Sequence, residues 1–143
     1  MSAAAARQAI AGLVFAYAER LDAGDLAGVA ALFRAATYRG AQGGVYQGAE
    51  AVRAVLTSRV ILYDGIPRTR HVTTNLVIDV DASAAVATAR SVFTVLQGTD
   101  GLPLQPIVAG RYHDRFVREV DGWRFDDRLI HMDLIGDLSR HLR

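Results

Sequence analysis

Between Ala4 and Leu21 the apolar residues Ile10, Leu13, Val14, Tyr17 and Leu21 recur at steps of three and four, which is one stripe of an amphipathic helix. Gly24 closes that helix. Asp25 is placed to cap a second, short helix carrying Leu26, Val29, Leu32 and Phe33, since its carboxylate can accept from the unpaired amides of the first turn. Tyr38, Val45 and Tyr46 around Gly40, Gly43 and Gly44 predict a short strand pair closed by a glycine turn. A third helix starts after Gly48 and runs through Val52, Val55, Leu56, Val60 and Ile61. It must stop ahead of Gly65-Ile66-Pro67, because proline disfavours helical backbone in the residue before it.

Beyond Pro67 the period shortens. Val72, Leu76, Ile78 and Val80 share parity with Thr74, predicting a long strand that turns near Asp81-Ala82-Ser83 and returns through Val86 to Leu96. Gly98-Thr99-Asp100-Gly101 is the next turn, residues 107–120 the next strand, Asp121-Gly122 a hairpin signal, and residues 123–134 the last strand. Three helices followed by four long antiparallel strands indicate an α+β fold in which a curved sheet wraps around helices. No linker, repeat or low-complexity stretch divides the chain, so its 143 residues read as one domain.

Composition narrows the chemistry. The sixteen basic residues are all Arg, against fifteen acidic ones, and they are scattered, which argues against a nucleic-acid or anionic-membrane surface. A chain without Lys cannot be a Schiff-base aldolase, a pyridoxal-phosphate enzyme or a P-loop nucleotide binder. Without Cys it has no thiolate nucleophile, disulfide or Cys-ligated metal centre. The first residues lack the layout of a signal peptide, and no run of about 18 apolar residues exists to span a bilayer, so a soluble, cytoplasmic protein is expected.

On the first long strand His71 alternates with Thr73, Asn75 and Val77, a mixed face of the kind that walls a small-molecule cavity or carries a simple hydrogen-bonded histidine. Asp22 falls at the end of the first helix, where the macrodipole disfavours negative charge, so a partner or solvent must compensate it. Arg124 and Arg128 share parity with Ile130 and Met132; one of them reaches a pocket, or each pairs with a neighbour such as Asp126 or Asp114. Trp123 and Phe125 suit the core. His131 with Asp133, and His113 beside Asp114, are too weak a pattern to support a metal site, and no cofactor is expected.

The succession Tyr17-x4-Asp22-x2-Asp25, Leu32-Phe33, Gly48-x-Glu50-Ala51-Val52, Arg70-His71-x3-Asn75, Gly110-Arg111-Tyr112-x-Asp114-x-Phe116 and Gly122-Trp123-Arg124-Phe125-x2-Arg128 resembles the SnoaL-like branch of the nuclear transport factor 2-like superfamily. The tail Gly136-Asp137-Leu138-Ser139-x-His141 is similar too. The resemblance implies a cone in which three N-terminal helices pack in a strongly curved, mostly antiparallel sheet around an apolar pocket. Scytalone dehydratase, hexachlorocyclohexane dehydrochlorinase and bile-acid 7α-dehydratase, of the same superfamily, use an Asp–His pair to remove a proton; the matching positions here are Asp22 and His71, with Tyr17 as a hydrogen-bond donor. Asn75 and Arg128 are candidate substrate contacts.

The function this implies is a cofactor-independent lyase or isomerase, a dehydratase foremost, acting on a small lipophilic molecule. The alternatives are a SnoaL-type polyketide cyclase with Asp114 or Asp127 as acid/base, and a non-catalytic ligand-binding or assembly module. The family also implies a homo-oligomer, dimer or trimer, for which the stretch from Val86 to Val95 offers an apolar outer sheet face.

Overall fold

The computed structural model describes residues 2–143. Helix α1 spans Ala3–Asp22, capped by Ser2, whose hydroxyl accepts from the Ala5 N–H at 3.1 Å. Its buried stripe, Ala6, Ile10, Val14, Tyr17, Ala18 and Leu21, is the one the periodicity predicts. Asp25 caps α2, Leu26–Ala31, through a 2.9 Å bond from the Gly28 N–H. Strands β1, Thr37–Arg39, and β2, Val45–Gln47, form the glycine-turned hairpin. Helix α3 is Gly48–Arg59, two residues shorter than expected, because Val60 turns extended and bridges to Leu142 in the C-terminal tail.

Four long strands follow: β3, Thr69–Val80; β4, Val86–Thr99; β5, Leu102–Glu119; and β6, Gly122–Ile135. They join the hairpin in one curved six-stranded sheet of order β2-β1-β6-β5-β4-β3, antiparallel except where β1 runs parallel to β6. The core lies between its concave face and the helices, with Phe33, Phe116 and Phe125 fully buried and Trp123 nearly so.

Two β-bulges change which residues face that core. In β3, Thr74 pairs with Val92 and Val77 with Arg90, so Asn75 and Leu76 together oppose Ser91. Asn75 takes the left-handed conformation, φ 53°, which Asn tolerates better than most residues. The strand's inward parity flips there, placing His71 and Thr73 on the same side as Leu76, Ile78 and Val80 and turning Val72 outward. In β6, Asp127 opposes Arg115 and Phe125 opposes Phe116, leaving Asp126 extra. Consequently Trp123 and Phe125 face inward together with Arg128 and Ile130, rather than alternating with them.

The expected apolar outer face of β4 is corrected as well. Ala87, Ala89, Phe93 and Val95 point into the core, and the outer row is Thr88, Arg90, Val92, Thr94 and Leu96. Among the described residues no helix is long and apolar enough to cross a membrane.

Gly110 of β5 lies where the sheet leaves no room for a side chain. A Cβ there would collide with the His131 carbonyl of β6 and the Phe93 ring, which covers the glycine while stacking on Tyr112 at 4.4 Å between centroids. Gly110→Ala is expected to lower the unfolding free energy by about 1–3 kcal/mol, the usual range for overpacking, read as a lower urea midpoint.

Candidate active site

Asp22 ends α1 where the helix dipole disfavours a carboxylate, and the start of β3 supplies the compensation. Its Oδ1 lies 2.6 Å from Nδ1 of His71 and accepts from the Thr69 hydroxyl at 2.9 Å, while Oδ2 accepts from the His71 backbone N–H at 2.8 Å. Burial pushes the Asp22 carboxyl up, but the bond from the His71 ring, the ring's charge, the backbone N–H and the Thr69 hydroxyl outweigh it and hold the group below its ordinary value. With Asp22 ionised, the imidazole donates from Nδ1, and Nε2 is the ring nitrogen turned away from the carboxylate. The His71 side chain is 6% exposed and that of Asp22 13%, so bulk water scarcely reaches the contact.

A cavity of about 130 Å³ opens between the β1–β2 turn, α3, the concave face of the sheet and the tail. Tyr17, Tyr38, Phe93, Tyr112, Ile130 and Met132 give it an aromatic and apolar wall. The volume is small beside the roughly 300–1,000 Å³ of drug-sized sites, so it suits a compact molecule. At the wall the Tyr17 and Tyr38 hydroxyls share a hydrogen bond of 2.8 Å, and burial raises the pKa of both, so both stay protonated donors.

His71 and Asp22 do not themselves line this cavity. They border an open cleft with Phe15, Glu19, Arg70 and Thr73, separated from the cavity by the last turn of α1 and by His141, whose ring lies edge-on to His71 with 5.8 Å between centroids. The site is therefore a dyad beside the cavity, and the expectation that the His71 face walls a small-molecule cavity is corrected: the His141 ring stands between.

Asn75, expected beside His71, sits exposed at the bulge and belongs to neither space. Arg128 is not on the cavity surface either. Its Nε and Nη2 bind both oxygens of Asp114 at 2.8 and 2.9 Å, and its guanidinium lies 3.7 Å from the Tyr112 ring centroid and 4.3 Å from that of Tyr17. Burial disfavours the charge, but the Asp114 carboxylate more than offsets it and keeps Arg128 firmly protonated. The pair anchors the aromatic wall from behind. Asp127, the other strand carboxylate considered for cyclase chemistry, accepts from Arg39 at 2.9 Å. Arg124 is drawn to Glu119 and Asp126. His113 and His131 face each other at 5.2 Å on the outer sheet, while Asp133 is held by Arg111 and Asp114 turns inward.

Reasoning from the sequence missed Tyr38, Tyr112 and His141. Tyr38 had no signal beyond an aromatic residue on a strand, and Tyr112 only its place in the family-like run Gly110-Arg111-Tyr112. His141 lies in a tail without periodicity, and only the family likeness of that tail touches it.

The fold is thus an α+β cone with an aromatic-walled cavity and an Asp–His pair beside it, one ring away. The chain belongs to the SnoaL-like domain family, whose model matches residues 2–128. No functionally curated protein gives a significant sequence match. Among solved structures it is similar to a protein of unknown function from Mycobacterium tuberculosis, 27% identical over 90% of this chain and 72% of that one, TM-score 0.74. It is also similar to a candidate scytalone dehydratase from Novosphingobium aromaticivorans, 25% identical over 92% and 86%, TM-score 0.73. ActVI-ORFA from Streptomyces coelicolor shares the fold, at 21% identity over 89% and 97%, TM-score 0.74.

The buried charges lead to two expected outcomes. Asp114→Asn strands the Arg128 guanidinium and is expected to cost about 3–5 kcal/mol, measured by urea unfolding, whereas Asp114→Leu with Arg128→Met costs less because no charge is left buried. The second concerns pH. Burial, then the neighbouring His71, lower the His141 pKa from its ordinary 6.5 to about 4, with Asp22 opposing; Arg59 is the charged group on the same cavity wall. Above pH 6.5 neither the folded nor the unfolded form binds this proton. Between 6.5 and about 4 only the unfolded form takes it up, so stability falls as pH falls, by about 3 kcal/mol at roughly 1.4 kcal/mol per pH unit. His141→Phe should flatten that limb in urea titrations, leaving the Asp22 contribution, which is lost only as pH drops below 3.8.

Proposed function

We propose that the chain is a cofactor-independent lyase that removes a proton from a compact lipophilic substrate, foremost a dehydratase acting on a β-hydroxy carbonyl compound. The observation that carries the reading is the 2.6 Å contact between Asp22 and the His71 ring, held by two further donors and nearly closed to water. A carboxylate so fixed selects one imidazole tautomer, leaves Nε2 to receive the substrate proton directly or through the neighbouring His141 ring, and stabilises the imidazolium that results.

Positioned proton transfer supplies about 10²–10⁴-fold, and the developing enolate needs donors of its own. The Tyr17–Tyr38 hydroxyl pair on the cavity wall meets that need, since one hydroxyl donates to the other and the second is left to donate to a substrate oxygen. The departing hydroxyl leaves as water. The aldol-cyclase alternative is less supported, because both oxygens of Asp114 are occupied by Arg128 and Asp127 is drawn to Arg39, away from the cavity.

Diacetone alcohol, a small tertiary β-hydroxy ketone, tests the reading, since elimination gives the ultraviolet-absorbing mesityl oxide and aldol cleavage gives acetone. Mesityl oxide is expected with the wild-type chain, and His71→Gln should slow its formation by about 10²–10⁴-fold with the fold intact. Asp22→Asn should act in the same direction, and Tyr17→Phe should cost about 10²-fold or more if it donates to the enolate. Turnover unchanged in His71→Gln excludes the base assignment. Acetone released at a rate indifferent to His71 but sensitive to Asp114 would favour the cyclase scheme.

A further inference from the structure

The C-terminal tail carries a ring whose burial the fold does not explain. The His141 residue is 4% exposed, its Nδ1 is buried without a hydrogen-bond partner, and its side chain lines the cavity. An apolar residue would fill the same wall without leaving a buried polar atom unpaired, so packing alone gives no reason for an imidazole here.

The backbone around this ring is fixed on both sides. The Arg140 carbonyl accepts from the Tyr63 hydroxyl at 2.6 Å and from Nε2 of the fully buried Gln97 at 3.0 Å. The Ile61 N–H donates to the His141 carbonyl at 2.9 Å, the Arg143 N–H to the Arg59 carbonyl at 2.9 Å, and Leu142 bridges to Val60. Ties from the end of α3, the segment after it and β4 therefore hold the ring where it stands, between the cavity and His71.

The spacing of the two rings matters. Imidazoles joined by an N–H···N bond of about 2.9–3.0 Å have centroids roughly 5.2 Å apart, and His71 and His141 stand at 5.8 Å with their planes inclined by 67°. The two rings thus stand about half an ångström beyond hydrogen-bonding separation.

We propose that His141 is a catalytic residue, the cavity-facing end of an Asp22–His71–His141 proton relay that connects the dyad to the substrate. The proposal rests on the elimination reading above. One His141 nitrogen accepts the proton as the substrate C–H bond breaks, while the proton on its other nitrogen passes to Nε2 of His71, whose charge Asp22 stabilises. The carbanion's electron pair forms the double bond and expels hydroxide. Hydroxide takes a proton back from His141, which is reprotonated by His71, and leaves as water, so the protein returns to its starting state. The lowered His141 pKa agrees with a ring that is neutral, and so able to accept, at physiological pH.

The test has two arms. Nitrogen NMR of the uniformly labelled wild-type chain should show scalar coupling between His71 and His141 across an N–H···N bond; a spectrum without it overturns the relay. In the diacetone alcohol assay His141→Ala should form mesityl oxide at least about a hundredfold more slowly. Added imidazole should restore much of that loss, whereas pyrazole, of the same shape and far less basic, should not. His141→Phe, which fills the space, should not be rescued. A wild-type rate in His141→Ala, or a loss that imidazole leaves untouched, overturns the assignment. If the wild-type chain leaves diacetone alcohol unchanged, that result counts against the elimination reading, and the NMR arm alone decides whether the relay exists.

Discussion

A carboxylate at the wrong end of a helix is the constraint around which this molecule is arranged. Asp22 faces the negative pole of α1 and is largely withdrawn from water, both of which oppose its charge. Three donors from the first residues of β3 answer it: the Thr69 hydroxyl, the His71 amide and the His71 ring. The same contacts that settle the charge tie the end of the first helix to the edge strand of the sheet, and they set the azimuth of the imidazole. Structure and candidate chemistry thus share one set of hydrogen bonds.

A second buried charge plays a complementary part on the far side of the aromatic wall. Arg128, with Asp114, is sealed behind Tyr17 and Tyr112, and its planar guanidinium stacks on the rings while its fork satisfies both carboxylate oxygens. Lysine offers neither the plane nor the fork, and in a chain whose cations are all arginine the position has the side chain suited to it. The pair stiffens the tyrosines that furnish hydroxyls to the cavity.

How far these features were legible differs element by element. The stripe of α1, the Asp25 cap, the glycine hairpin and the order of the four long strands followed from spacing alone, because each depends on local periodicity. Asp22 stood out by its conflict with the helix dipole, and its partner came from the family likeness of Arg70-His71. Strict alternation failed at the two bulges: one extra residue in β3 sent Asn75 to the surface, and one in β6 turned Arg128 into the core beside Phe125. A bulge is set by how two strands pair, and a single strand's sequence carries little trace of it. His141 was out of reach for a related reason, since its place is decided by Gln97, Tyr63 and Ile61, distant in the chain and bonded to the backbone around it.

The bulge in β3 also divides that strand into two independent halves. Residues before it present side chains to the end of α1 and the histidine pair; those after it seat aliphatic groups against the body of the same helix. Because the extra residue resets the pleat between them, the leading half can exchange polar groups without disturbing how the trailing half docks. New chemistry can therefore be tried at the strand's entrance while its remainder goes on serving as scaffold.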